Sequence, residues 1–306
     1  MPPRPAPAWR YDAGLLLVVL FWGLNFAVIK IPLAAMHPFT VNLFRFVVSA
    51  GVLGGLALAE ARKQEASWLA PWQAGFGYVL ALGLLGHAAY QCIFILGVGK
   101  TSAGSASLLI ASSPLWVALL SHTLGHERLR AGAWVGFALC LTGVAVVVGA
   151  DEEGLDLSGE ALVGNGMMLA SSMVWAGYTL VSRPLLQRGV SAVSLSFHSV
   201  TVALPVLAAL GLATWDETDW ARVDGWTWAA LLFSGGLSTG LAYAIWNAGI
   251  RHVGAAQTSA FSYLVPLVAL LAGLVLLREP ITVAQVGGGT LILAGLLLIR
   301  RFRTLQ

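Results

Sequence analysis

Ten apolar runs dominate the chain, at residues 13–35, 38–59, 73–97, 102–124, 131–149, 161–183, 191–214, 226–249, 255–277 and 281–300, with short polar connections between them. A bilayer core about 30 Å thick is crossed by roughly 20 helical residues, and a helix satisfies its own backbone hydrogen bonds where no water can. Runs of this length therefore predict ten transmembrane helices in an all-α integral membrane protein. Composition removes the soluble alternative: 58% of the 306 residues belong to the set AVILMFWYC and 10% are charged, where soluble domains carry about 25% charged residues. Lys and Arg fall singly or in pairs between the runs and form no patch, which argues against nucleic-acid binding and makes them topology signals. With the N-terminus inside, the inner segments collect Arg4, Arg10, Arg62, Lys63, Arg128, Arg130, Arg183, Arg188, Arg251, Arg300, Arg301 and Arg303, and the outer ones Lys30, Lys100, Arg222 and Arg278. Both termini are thus expected in the cytoplasm of a multi-pass membrane protein. Arg4 and Arg10 precede the first run as in a signal peptide, but no small-residue cleavage site follows, so a permanent helix is expected.

Sliding the chain against itself by 152 positions matches residues 83–143 to 235–295 without a gap, with 15 identities, where about five are expected at this composition. Informative pairs are Gly97/Gly249, Ala103/Ala255, Ser107/Ser259, Pro114/Pro266, Glu127/Glu279, Gly136/Gly288 and Gly143/Gly295, and an offset of 153 pairs Trp22 with Trp175. Each copy holds five runs. An odd number forces the second copy to enter the membrane from the opposite side, which predicts an inverted repeat and, with it, alternating access to a site near the midplane.

The duplication, together with FWGLNFAVIK (21–30), NLFRFVVSAG (42–51) and SPLWVALL…GHERL (113–129) echoed by VPLVALL…LREPI (265–281), resembles the EamA-type branch of the drug/metabolite transporter superfamily over essentially the whole chain. The resemblance implies two five-helix repeats, residues 1–150 and 151–306. It also implies secondary export of amino acids, aromatic and other, and of related small metabolites, with no enzymatic activity and no cofactor or metal.

Polar and aromatic side chains inside the runs repeat at helical spacing, as expected where they face the bundle and not lipid. His87, Tyr90, Gln91 and Phe94 form one such face in the third run, and Thr239, Tyr243, Trp246 and Asn247 another in the eighth; the offset of 152 superposes Gln91 on Tyr243 and Phe94 on Trp246. The fourth run adds Ser105, Ser112 and Trp116 and the ninth Ser259, Ser262 and Tyr263, while the first and sixth add Trp22 with Asn25 and Trp175 with Tyr178. An aromatic cavity with a few amides and hydroxyls suits an amphipathic small molecule such as an amino acid; a sugar phosphate would need several cations. Arg45 lies well inside the second run and has two readings, a counter-ion for a substrate carboxylate or a cation holding carbonyls near a helix end. At an offset of 153 its repeat equivalent is His198.

The fifth and tenth runs carry glycines in place of polar groups, among them Gly132, Gly136, Gly143, Gly287, Gly288, Gly289 and Gly295, and are expected to serve as scaffold or as a homodimer contact surrounded by membrane lipid. An intramembrane enzyme on lipid or peptide substrates is the rival reading, and a nucleotide-sugar carrier another. No carboxylate lies in a run's interior to serve catalysis or proton coupling, which leaves His87 and His198 as the interior groups able to titrate near neutrality. GVGKTS (97–102) lacks the first glycine of a phosphate loop, Phe94 standing there, and GLSTG (236–240) lies inside an apolar run and not at a strand-to-helix elbow. Cys92 and Cys140 sit apart in apolar runs and offer neither a disulfide framework nor a zinc site.

Overall fold

The computed structural model describes residues 8–64, 67–123, 127–148, 159–252, 258 and 261–305; Ala255 and Ser259 lie outside them. The described residues form ten helical rods at the ten apolar runs. They are α1 (Ala8–Val28, extended by Lys30–Leu33), α2 (Pro38–Gln64), α3 (Ala70–Ala81, Leu82–Ala89 and Tyr90–Val98 end to end), α4 (Ala103–Ile110 then Ser113–Thr123) and α5 (Ala131–Val148). After them come α6 (Glu160–Gln187), α7 (Ala192–Ala213), α8 (Gly225–Leu232, Phe233–Leu241 and Ala242–His252), α9 (Ser262–Leu264, Val265–Ala272 and Gly273–Leu277) and α10 (Val283–Phe302). One departure from an all-helical chain is a short antiparallel ladder, β1 (Glu127–Leu129) against β2 (Arg303–Leu305), which ties the start of α5 to the end of α10.

Six helical stretches, in α1, α2, α3, α4, α7 and α8, are long and apolar enough to cross a membrane, and α5, α9 and α10 are shorter apolar helices. α6 is equally long but places Asn165, Ser171, Ser172, Thr179 and Ser182 in the interior. The molecule is apolar outside and polar within: Leu16, Leu17, Val47, Phe76, Leu85, Val275 and Val283 are exposed, while Asn25, Asn42, Arg45, His87, Gln91 and Asn247 are buried. That inversion suits a protein solvated by hydrocarbon.

Packing between rods is unchanged when the halves are exchanged. α5 packs on α10 and α2 on α7; α1 packs on α8 and α9 as α6 packs on α3 and α4; α3 packs on α7 as α8 packs on α2. Glycine makes the first contact possible. A Cβ at Gly136 would lie 2.6 Å from Gly295 O and one at Gly295 2.5 Å from Gly136 O, and Gly143 and Gly288 meet in the same way at 2.6 and 2.8 Å. These glycines join two helices of one chain, so the close approach expected of them is intramolecular.

The repeat carries into backbone geometry. α3 widens to i→i+5 hydrogen bonding over Leu82–Ala89 and α8 over Phe233–Leu241, the same position in each half. Such wide turns insert a residue into the helix and turn the following face. In α2 and α7 the offset is 154, not 153: a Cβ at Gly83 would meet Val202 and Ser199 O, and one at its repeat equivalent Gly235 would meet Val48 and Arg45 O. Ser199, not His198, is therefore the counterpart of Arg45, because the second half gains one residue before α7.

Candidate functional site

Beyond the two wide turns, Tyr90, Gln91 and Phe94 of α3 face Tyr243 of α8, and α1 and α6 bring Trp22 and Trp175 edge-to-face at a centroid distance of 5.5 Å. These residues, with Asn25, Phe26 and Arg45, line a cavity of about 50 Å³ closed off by Ser107, Ser113, Ser238, Thr239 and Ser262. Small-molecule sites run to about 300–1,000 Å³, so the cavity as described is smaller than a drug-sized ligand needs. Trp22 Nε1 donates to Ser238 O at 2.9 Å and Thr239 Oγ1 to Ser234 O at 2.9 Å, which satisfies carbonyls within the wide turn of α8.

Arg45 is 2% exposed at the wall of this cavity. Asn42, one turn earlier on α2, accepts from its Nη1 at 2.9 Å, Gln91 Oε1 accepts from Nη1 at 3.1 Å, and Thr239 Oγ1 accepts from Nη2 at 3.1 Å. Gln91 is itself fixed, its Nε2 donating to the Tyr243 hydroxyl at 2.9 Å and its carbonyl accepting from Asn42 Nδ2 at 2.9 Å. Every partner is neutral. The described salt bridges lie elsewhere, and Arg45 Nε is buried with no hydrogen-bond partner, as is Asn25 Oδ1 on the same cavity. Of the two readings of Arg45, the helix-end one does not describe it: its bonds go to side chains in the interior.

The remaining candidates lie one layer out. His87 sits within the wide turn, which rotates it off the face of Tyr90 and Gln91; its Nε2 lies 3.0 Å from Ser199 Oγ, and its ring stacks on Tyr243. Tyr178 stacks on Trp175 at 4.9 Å and accepts from Asn247 Nδ2, which also donates to Ser196 Oγ. Trp246 backs Trp22 at 4.9 Å. Ser112 and Trp116 bind Ser172 of α6 at 3.3 and 2.9 Å, because α4 breaks at Ala111–Ser112 and presents Ser113 to the cavity instead. Tyr263 packs beside Ser262, which lines the cavity. Helical spacing carried no signal for Ser113 or Ser238, whose orientation depends on the broken α4 and the widened α8, nor for Phe26, an apolar residue within the unbroken α1. Ser107 was visible as a repeat identity alone. His198 belongs to a separate cluster with Trp68 and Trp72. Among the described residues no three His, Cys, Asp or Glu side chains come together as a metal site.

A second cavity of about 360 Å³ opens at one end of the bundle, lined by Lys30, Lys100, Glu160, Asn165, Glu279 and Gln285 among others. Lys30 and Glu279 pair at 2.6 Å there, each about one-fifth exposed, at 22% and 21%. Arg278 in the left-handed region (φ 58°) turns the chain at the end of α9, Glu279 N–H donates back to Gly273 O, and Glu279 Oε2 accepts from Ala103 N at the start of α4. Glu279 thus holds α1, α4 and α9 together on the wall of this vestibule.

The sequence matches the EamA-like transporter family over residues 9–149 and 162–301, one match to each half. The chain is a member of that family. The EamA protein is 30% identical to a "Probable amino-acid metabolite efflux pump" of Salmonella typhimurium, over 94% of each chain. It is 29% identical to a "Probable terminal-alkyne amino-acid exporter" of Streptantibioticus cattleyicolor, over 95% of this chain and 93% of that one. A crystal structure 20% identical to it superposes with a TM-score of 0.66 over 95% of this chain and 96% of the other, a likeness of fold. Membership makes it a multi-pass membrane transporter and accounts for the polar interior.

Proposed function

We propose that this protein exports amino acids, aromatic ones among them, and related small metabolites across the bacterial inner membrane by alternating access. Two five-helix halves, inverted across the bilayer with both termini in the cytoplasm, would rock about the α5/α10 and α2/α7 contacts. The single observation that carries the reading is Arg45, a buried cation without an anionic partner on the wall of an aromatic cavity where repeat-equivalent residues meet. A charge near the centre of a membrane helix costs at least ~2.5 kcal/mol, and Arg presents carboxylate-matched donors that an arriving substrate can fill. The aromatic wall takes an organic side chain. The relatives' names point to amino-acid cargo.

On this topology Lys30, Lys100 and Glu279 lie outside, so the Lys30–Glu279 pair closes the outer mouth in the conformation described. The offsets of 153 and 152 place Arg183 and Glu127 at the matching inner positions, and they are the pair that would form when the outer one opens. Among the described residues no Asp or Glu lines the cavity, which favours movement down the substrate gradient, with at most weak proton coupling through His87. The test is efflux and counterflow of labelled phenylalanine in proteoliposomes of purified protein. Saturable movement above that of empty liposomes is expected; its absence for every amino acid tried would remove the reading.

A further inference from the structure

We infer that the cavity selects a carboxylate and not an α-amino group, so that the protein also carries aromatic and other apolar 2-hydroxy acids. This rests on the transporter reading of the same site. The charge on the cavity wall is lopsided: Arg45 supplies a buried positive charge, and no Asp or Glu is among the lining residues. The twofold relation does not balance it, since the counterpart of Arg45 is Ser199. A bound carboxylate neutralises Arg45 and fills its free Nε–H. A bound ammonium finds no charge to neutralise it.

Among the groups the wall offers an α-substituent is Asn25 Oδ1, buried and without a partner, on the same cavity as the indoles of Trp22 and Trp175. An amide oxygen accepts from an ammonium N–H and from an alcohol O–H alike. The indole faces attract a cation but equally accept an uncharged apolar group. A site built around one substrate group rejects the analogue lacking it by about 10⁴-fold or more. Here the carboxylate has such a partner and the positive charge of the amine has none. Replacing the amine by a hydroxyl keeps the carboxylate contact and a donor to Asn25, and gives up only the modest attraction of a cation to the indoles.

The experiment is counterflow in proteoliposomes of the full-length wild-type protein, loaded with phenylalanine, 3-phenyllactate, phenethylamine or buffer and exposed to labelled phenylalanine. Direct uptake of labelled 3-phenyllactate runs in parallel. Phenyllactate is expected to exchange within about tenfold of phenylalanine, and phenethylamine at least about 100-fold more slowly. If phenylalanine exchanges and phenyllactate does not, the inference is overturned while the transporter reading stands. Phenethylamine exchanging as well as phenylalanine overturns it also, by removing the role of Arg45. Movement of neither acid overturns both readings together, and movement of phenyllactate without phenylalanine supports the carboxylate rule against amino-acid cargo. A second arm uses Arg45→Lys and Arg45→Gln, checked for monodispersity in detergent. Loss of both acids in the same proportion supports carboxylate reading, and loss of phenylalanine alone contradicts it.

Discussion

Gln91 Nε2 donates to the Tyr243 hydroxyl at 2.9 Å, and the two residues are 152 positions apart, the offset at which the halves of the sequence align. Repeat-equivalent residues can touch where the two halves exchange, so this bond marks the exchange axis. Trp22 and Trp175, paired at an offset of 153, meet on the same axis, and Cys140 reaches Ile292 O, again 152 residues on. The axis passes beside the cavity, so the rocking proposed for the two halves would reshape the cavity directly.

Because Gln91 links this bond to Arg45, Gln91→Ala should slow phenylalanine exchange by roughly 10- to 100-fold, the equivalent of one hydrogen bond to a charged group at about 1.5–3 kcal/mol. Tyr243→Phe should slow it several-fold. The double variant should be slowed by less than the product of the two single effects, since both remove support from one guanidinium. A double-mutant cycle on initial rates, with insertion checked by detergent-solubilised yield, measures the coupling. Strict additivity would mean that the network does not act as a unit.

Lys30 and Glu279 pair on the wall of the wider vestibule, and on the proposed topology this pair closes the outer mouth. Lys30→Gln or Glu279→Gln should therefore raise the reactivity of a cysteine placed at Ser107 toward an impermeant thiol reagent added from outside. The exchanged pair Lys30→Glu with Glu279→Lys should restore protection in part. Unchanged reactivity in both single variants would assign closure to other contacts.

At the α5/α10 contact a side chain has no room. Gly143→Leu should lower the melting temperature by several degrees or prevent accumulation, as overpacking costs typically about 1–3 kcal/mol. Gly287, where an added Cβ meets nothing within 4 Å, should tolerate Ala. Leu291→Ala in the same scaffold should leave substrate preference unchanged. Melting temperatures and a substrate competition series check all three.

Asp224 caps α8: its Oδ1 accepts from Thr227 N–H and from Thr227 Oγ1–H, both at 2.8 Å, and these bonds hold its carboxyl below its ordinary value of 3.8. A lowered folded-state pKa contributes stability above the ordinary value and loses it as pH falls through the lowered one. Asp224→Ala should therefore reduce thermal stability at pH 7, and the difference from wild type should shrink as the pH is taken below 3.8. Melting curves over that range decide it; a difference independent of pH would remove the charge from the cap.

Helix positions were legible because hydropathy alone separates lipid-solvated segments from their connections, and the glycine pairs were legible as repeat identities. Of the cavity, Trp22, Asn25, Tyr90, Gln91, Phe94, Trp175, Thr239, Tyr243 and Ser262 were legible as polar and aromatic residues within the runs, and Arg45 as a basic residue well inside one. Spacing misplaced His87, because it assumes a constant turn and α3 widens through that residue. It placed Ser112 and Trp116 on the cavity because the break in α4 leaves no mark in an apolar run. The offset of 154 between α2 and α7 lay outside the gap-free alignment, and it changed the counterpart of Arg45 from a histidine to a serine. The Lys30–Glu279 pair spans 249 residues and had no local signal.

The central claim is that Arg45 meets the substrate. Counterflow of labelled phenylalanine into proteoliposomes containing wild-type protein or Arg45→Gln, at matched insertion and with equal melting behaviour in detergent, tests it most directly. The account predicts that Arg45→Gln loses exchange by at least about 100-fold, with Arg45→Lys intermediate because it keeps the charge but not the fork. Exchange by Arg45→Gln within about twofold of wild type would contradict it.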